Sequence, residues 1–304
     1  MDDLEPDLAA DDGDADLLNL KQVARILDVH YMTAYRYVRH GRLAAERVGG
    51  MWMVRRDDLD SFRDEPTSAG DIDWAARLAE HLGSGDDVVA WAVVRDAANA
   101  GRTFEELHLD VVTGALARLA AAEDPATVVE HRIALATASR LVGRLGGLVT
   151  HRGRKLGTVV LAAPTGEHHG LGLAVLANLI RQAGFRVLEL GTDAPAADIC
   201  AALDRVEDPV ALGLGVTTVD VLEEAAGVVA AVADAHPDVP VLLGGQAVRN
   251  PEVAELVGAQ AWATSELLVD ALRDLAAERT AERRRTTRRR RDSARKTTPQ
   301  TELA

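Results

Sequence analysis

The sequence predicts a multidomain chain of three units in series: a helix-turn-helix with a β-hairpin, a four-helix bundle, and an α/β doubly wound parallel sheet. Three observations carry that prediction. Short apolar runs at 158–163, 184–191, 210–216 and 239–245 alternate with helix-length segments, the pattern of a parallel sheet. The stretch from 71 to 150 has helical periodicity and no strand signal. Ahead of it, two short amphipathic helices precede an alternating run interrupted by Gly49-Gly50. The expected boundaries are an acidic tail over 1–16, the first unit over 17–65, the bundle over 71–150, the α/β domain over 155–276 and a basic tail over 277–304.

In the first unit, Leu20 to Leu27 reads as one helix, Asp28-Val29 as a turn, and His30 to Arg39 as a second helix ending near Gly41. This is helix-turn-helix spacing, with Val23, Ala24, Leu27, Val29 and Val38 joining the helices. That assignment leaves Tyr31, Thr33, Tyr35, Arg36 and Arg39 to face the major groove of double-stranded DNA. Ala45 to Val54 alternates around the two glycines as a hairpin, which makes it a wing, with Trp52 expected as its core anchor. The order of helices, Gly-Gly hairpin and Arg55–Phe62 segment resembles the winged helix-turn-helix of the excisionase and MerR-like families. Between Leu20 and Arg56 stand eight basic residues against two acidic ones, a local positive charge suited to phosphate. Met51 and Met53 depart from the resembled pattern, in which wings carry basic residues.

Four helical segments follow the polar break at 64–70: about 73–82, 86–100, 103–120 and 125–145. Thr103 and Glu106 have the spacing of a capping box, and Gly101 and Gly146 that of helix ends.

In the α/β domain, residues 164–172 read Pro-Thr-Gly-Glu-His-His-Gly-Leu-Gly, directly after an apolar strand and before a helix. Ligands of doubly wound sheets bind at such carboxyl ends. Glu167 stands two residues before His169, close enough to take the second ring proton and select the tautomer that binds a metal. A lone loop histidine is more often an ordinary polar residue, and His168 is read as such. Yet Glu167-x-His169-x-x-Gly172 closely resembles the Asp/Glu-x-His-x-x-Gly signature of cobalamin-binding domains. In that family the histidine replaces the cofactor's own base as lower cobalt ligand, which implies His169 as the metal ligand here. The family's Gly-Gly matches Gly244-Gly245, but its Ser-x-Leu falls on Gly215-Val216-Thr217. Glycine offers no hydroxyl, which leaves those of Thr217 and Thr218 next door.

The three-unit order, from 18 to about 275, resembles adenosylcobalamin-dependent, light-responsive transcriptional repressors of the CarH and LitR type. That resemblance implies a cobalamin cofactor, adenosylcobalamin foremost, DNA as partner, a homo-oligomer, and no enzymatic activity. In those proteins a Trp-x9-Glu-His pattern in the bundle covers the cofactor's upper face. Glu130-His131 matches its second half, whereas Ala120 stands in place of the tryptophan. Two rivals stay open: a regulator that kept the fold but answers another ligand or a protein partner, and a corrinoid carrier in methyl transfer.

Composition fits a soluble intracellular protein. The 304 residues carry a net charge of -14, yet the first sixteen hold eight acids and no base, while 276–304 hold ten bases and four acids. Both ends are expected to be disordered. No apolar run has the length of a membrane span and the amino terminus lacks a basic signal sequence, so a cytoplasmic location without membrane contact is expected. The single cysteine, Cys200, excludes an internal disulfide framework.

Overall fold

The structure is a computed structural model and describes residues 17–27, 34–35, 37–38, 43–48, 51–64, 72–121, 128–149, 151, 153–248, 250–262, 268–281 and 285. The chain divides into two compact units, Met1–Ile72 and Asp73–Ala304.

In the first unit, β1 (Leu17–Asn19) leads into α1 (Leu20–Ile26), and β2 (Glu46–Val48) and β3 (Met51–Arg55) form the hairpin before α2 (Arg56–Asp64). Asn19 caps α1: its side chain accepts from the Lys21 and Gln22 amides at 3.0 and 3.1 Å, and Gln22 Oε1 accepts from its backbone amide at 2.9 Å. Val48 pairs with Met51, so the hairpin turn spans the two glycine positions expected for it. On the other side of β3, β1 pairs antiparallel and completes a three-stranded sheet. Three residues are too few to display alternation, which is why this strand is not legible in the sequence.

Leu18, Leu20, Val23, Ala24, Ala34, Val38, Leu43, Val54 and Leu59 are buried in this unit. Tyr35 is buried as well, 7% exposed, which corrects its assignment to the groove-facing set. Positions 34, 35 and 38 lie on one side of a helical turn, so Tyr35 turns inward with Ala34 and Val38. Tyr37 meets Phe62 with ring centroids 5.0 Å apart. The other groove-facing candidates, Tyr31, Thr33, Arg36 and Arg39, lie outside the described residues. Trp52 is half-buried beneath the Arg47 guanidinium, 5.1 Å from its ring centre.

The second unit begins with the bundle: α3 (Trp74–Leu82), α4 (Asp87–Asn99), α5 (Phe104–Glu106), a π-helical stretch (Leu107–Val112), α6 (Thr113–Ala121) and α7 (Val128–Gly146). The capping box at Thr103 is formed, with Glu106 Oε2 accepting from the Thr103 amide at 2.7 Å and Thr103 Oγ1 from the Glu106 amide at 3.2 Å. Trp74 is a core residue and the partly buried Trp91 packs against the same core.

The parallel sheet contains β4 (Thr158–Pro164), β5 (Arg186–Ala194), β6 (Pro209–Gly215), β7 (Val241–Gly244) and β8 (Ala261–Trp262), in the spatial order β5-β4-β6-β7-β8. Between them run α8 (Leu171–Gln182), α9 (Ala196–Asp204), α10 (Leu222–Ala235) and α11 (Pro251–Val257). The direction of winding reverses between β4 and β6, which opens a crevice at their carboxyl ends. Val159 to Ala163 are buried throughout, as a strand covered on both faces must be. β8, only two residues long, is a fifth strand beyond the four apolar runs seen in the sequence.

Bundle and α/β domain, drawn as separate domains from the sequence, share one core, because Val175 and Leu179 of α8 belong to the bundle's apolar cluster. A polar bridge runs through that contact. Asn178, 4% exposed, donates from Nδ2 to the Val142 carbonyl at 2.8 Å and to His108 Nε2 at 3.0 Å. The His108 ring, inside the π-helical stretch and fully buried, donates from Nδ1 to the Phe104 carbonyl at 2.8 Å. A Cβ at Gly146 would lie 2.5 Å from Asn178 Oδ1, so the end of α7 must be glycine for the bridge to form.

Residues 268–281 are helical and bury Leu268, Leu272 and Ala276 against β4. This helix runs past 276, where the basic tail was expected to begin: Arg279 bonds Asp208 at 3.0 Å and the Asp238 carbonyl at 3.1 Å. Both expected tails otherwise lie almost wholly outside the described residues, and among those described no helix is long and apolar enough to cross a membrane.

Burial holds the His108 imidazole below its ordinary range, against the smaller upward pull of the bond to Phe104. The unfolded chain therefore takes the proton more readily, so the stabilisation is complete above the free imidazole range near ~6.5 and is lost as pH falls below it. Urea titrations should show stability declining from pH 7 to pH 5, with a flatter decline in His108→Phe. An equal slope in both proteins would assign the acid sensitivity elsewhere.

Candidate cofactor site

Three strand ends meet in the crevice. The loop after β4 carries Glu167 and His169, the segment after β6 carries Thr217 and Thr218, and β7 ends at Gly244-Gly245. Glu167 is 1% exposed, an unusual place for a carboxylate, and each of its oxygens is satisfied. Oε1 accepts from the His169 amide at 3.0 Å and from His169 Nδ1 at 2.6 Å. Oε2 accepts from the Thr217 amide at 2.6 Å and the Thr218 amide at 3.2 Å. Burial by itself would push this carboxyl up, but the His169 and Thr217 amides, the His169 ring and the Thr218 amide together hold it below its usual range. Glu167 is therefore an anion at neutral pH, and His169 Nδ1 donates to it.

The consequence falls on His169. With Nδ1 carrying the shared proton, Nε2 keeps its lone pair, and the side chain is 58% exposed. A buried carboxylate thus presents an imidazole outward at the mouth of the crevice in the tautomer that ligates metals. Among the described residues no group of three or more His, Cys, Asp or Glu gathers to hold a bare ion. One well-oriented nitrogen suits a metal whose other positions come from a macrocycle.

The glycines around the site differ in what they do. Gly245 has φ +116°, and a Cβ there would lie 2.1 Å from the Val216 carbonyl oxygen, so no side chain fits. Val216 is locked between the strand ends, its amide donating to Gly244 O at 2.8 Å and its carbonyl accepting from Ala247 at 3.2 Å. At Gly215 a Cβ would come 3.1 Å from Leu173 Cδ2, a tight but yielding contact. Gly172 is exposed with nothing within 4 Å of its would-be Cβ, which leaves open space beside His169 at the start of α8.

The structure brings Glu167, His169 and Thr217 into direct contact, Thr217 through its backbone amide. Gly215, Gly244 and Gly245 end the two neighbouring strands. Glu130 and His131 occupy the first turn of α7, exposed and half-buried respectively, and Ala120 is exposed near the end of α6. Two contributions were not anticipated. The Thr218 amide joins the carboxylate's donors, and backbone bonding carries no residue signature. Asp193, at the end of β5, holds a left-handed backbone with φ +56°, for which the Gly191-Thr-Asp-Ala-Pro195 turn sequence is the one available hint.

Comparison with known proteins agrees with this geometry. A helix-turn-helix domain model matches residues 17–66, and a B12 binding domain model matches residues 157–268. The chain is similar to the HTH-type transcriptional repressor CarA of Myxococcus xanthus, 37% identical over 111 residues, which are 36% of this chain and 38% of that protein. It thus spans little more than a third of the length of that curated relative. Its fold resembles the monomethylamine corrinoid protein of Methanosarcina barkeri, with a TM-score of 0.55 at 14% identity, over 64% of this chain and 96% of that one. At that identity the likeness shows the fold alone.

Glu167→Gln places an amide NH2 group against one of two sets of N–H donors. It should lower stability by roughly 1–3 kcal/mol at neutral pH. Because the folded carboxyl titrates below the unfolded one, the stabilisation it supplies is present above the ordinary carboxylate range and is lost as pH falls through about 4. The wild-type advantage over Glu167→Gln, measured by urea denaturation, should therefore shrink on acidification to pH 3. An advantage unchanged at pH 3 would contradict the charged assignment.

Proposed function

Since a helix-turn-helix domain and a B12 binding domain share this chain, as in regulators of the CarH and LitR type, we propose a DNA-binding transcriptional regulator, a repressor, controlled by bound cobalamin. The observation that carries the reading is the exposed His169 imidazole held by buried Glu167 at 2.6 Å, in a crevice closed on its far side by Gly245. A corrinoid bound here supplies an axial position on cobalt that an imidazole nitrogen can fill. His169 Nε2 would hold the cobalt, Glu167 would keep the tautomer, Gly172 would leave room beside the imidazole, and the Gly215, Thr217, Gly244 and Gly245 strand ends would bind the rest of the cofactor. Adenosylcobalamin is the proposed form, and Glu130 and His131 of the bundle would contact its adenosyl group. The exposed Ala120 offers no aromatic wall, which would leave contact with an upper ligand to the Glu130 and His131 side chains.

The first unit supplies the DNA contact, through Tyr31, Thr33, Arg36 and Arg39 on the second helix of the motif. Tyr35 is buried and is left out of that set. Because a ligand shifts an equilibrium only by its differential affinity for two states, cobalamin must favour one assembly of this chain. A homo-oligomer that pairs two DNA-binding units is the proposed assembly. A carrier in methyl transfer would share the second unit's fold but has no use for a helix-turn-helix domain.

The test is a dark incubation of the full chain with adenosylcobalamin, gel filtration, and binding to promoter DNA with and without the corrinoid. Wild type should retain corrinoid and show altered DNA affinity and size, both lost in His169→Ala. Ionic strength should weaken DNA binding steeply, as phosphate contacts release counterions. DNA binding unaffected by corrinoid, with no corrinoid retained, would mean that the fold answers another signal.

A further inference from the structure

The loop that carries Glu167 and His169 is held from β6 by the Thr217 and Thr218 amides, and it is held from the opposite side too. Asp193 Oδ1 accepts from the Gly166 amide at 2.8 Å, and the Asp193 amide donates to the Glu167 carbonyl at 3.0 Å. These two bonds clamp the peptide on either side of Gly166-Glu167. They exist because Asp193 adopts φ +56°, the one left-handed non-glycine position among the described residues. Side chains other than Asn and Asp rarely accept that conformation, and strain of this kind persists where the surroundings fix it. The sheet accommodates it with register shifts between β4 and β5, at Leu161/Ala162 and at Ala162/Pro164. Gly166, itself at φ +84°, gives the loop the turn that brings its amide to the carboxylate.

One residue earlier, Thr192 lies against Gly170, whose added Cβ would stand 3.3 Å from Thr192 Cγ2. The end of β5 therefore follows the loop from Gly166 to the start of α8. Yet the Asp193 side chain is exposed and bears on no apolar core. An exposed carboxylate in a strained backbone, spending its bond on the peptide next to the histidine's orienting residue, has local geometry as its purpose.

We infer that Asp193 is a positioning residue for the metal-ligating histidine: it fixes the Glu167 backbone, so that the Glu167 carboxylate reaches His169 Nδ1 and leaves Nε2 facing outward at the mouth of the crevice. This rests on the cobalamin-binding reading above and adds a second strand to the support of the ligand. Outer-sphere partners of metal ligands commonly change affinity by about 10- to 100-fold when removed.

Three substitutions in the full chain separate the carboxylate from the backbone. Asp193→Asn keeps an acceptor oxygen and tolerates the left-handed conformation. Asp193→Gly keeps the conformation and loses the acceptor, and Asp193→Ala loses both. Two readouts are taken: hydroxocobalamin affinity with its histidine-on absorption spectrum, and the imidazole 15N shifts of the cofactor-free protein, which report the His169 tautomer. Asp193→Asn should stay near wild type. Asp193→Gly and Asp193→Ala should bind about 10-fold or more weakly, lose the histidine-on signature, and show a mixed tautomer with Nε2 partly protonated.

Wild-type affinity and tautomer in Asp193→Gly would overturn the inference, as would loss of the whole fold in that variant, which would make the contact one of domain stability. If wild type itself retains no corrinoid, the cobalamin reading fails. The tautomer measurement still decides whether Asp193 orders the pair.

Discussion

The second unit's chemistry depends on one buried anion. A carboxylate withdrawn from water is costly unless each oxygen is bonded, and Glu167 meets that cost with four N–H donors drawn from two loops. The arrangement is reciprocal. The loops are held because the carboxylate gathers their amides, and the carboxylate stays ionised because the loops converge on it. His169 is the one donor of the set whose other end reaches solvent, so the constraint inside the crevice becomes an oriented nitrogen outside it.

That convergence is available because the sheet reverses its winding between β4 and β6. At any other pair of neighbouring strands a helix connection would cover the gap, whereas here the two loops diverge to opposite faces and leave room between them. Gly245 serves the same geometry on the next strand, where the Val216 carbonyl fills the volume that a side chain would need. The bundle belongs to this unit through the Asn178 bridge and the shared apolar cluster, so whatever bears on the end of α7 is mechanically continuous with α8, which begins two residues after His169.

Much of this was legible in the sequence, for identifiable reasons. The four apolar runs are strands because both faces are covered, which removes the polar alternation that would have confused them with an exposed sheet. The bundle helices carry their own starts in Asp73, Asp86 and Thr103 and a stop in Gly101. Glu167 and His169 stood out because Glu167-x-His169-x-x-Gly172 on a strand-end loop matches a family signature, where a loop histidine alone would have read as an ordinary polar residue. What escaped was set by tertiary context. Leu17–Asn19 is a strand only because β3 lies beside it, and Tyr35 turns inward because Ala34 and Val38 share its side of the helix. The Thr217 and Thr218 contributions are peptide amides that any residue could supply. The His108–Asn178 contact joins residues seventy positions apart, and nothing local in either segment announces it.

The central claim is that His169 Nε2 is the axial ligand of a bound corrinoid cobalt. The most direct measurement is the electron paramagnetic resonance spectrum of wild-type protein loaded with cob(II)alamin and grown with either 14N- or 15N-histidine. The account predicts that the superhyperfine splitting changes from a triplet to a doublet on labelling, because the ligating nitrogen then comes from the protein. A splitting that ignores the label would place the cofactor's own base on cobalt and contradict the assignment of His169.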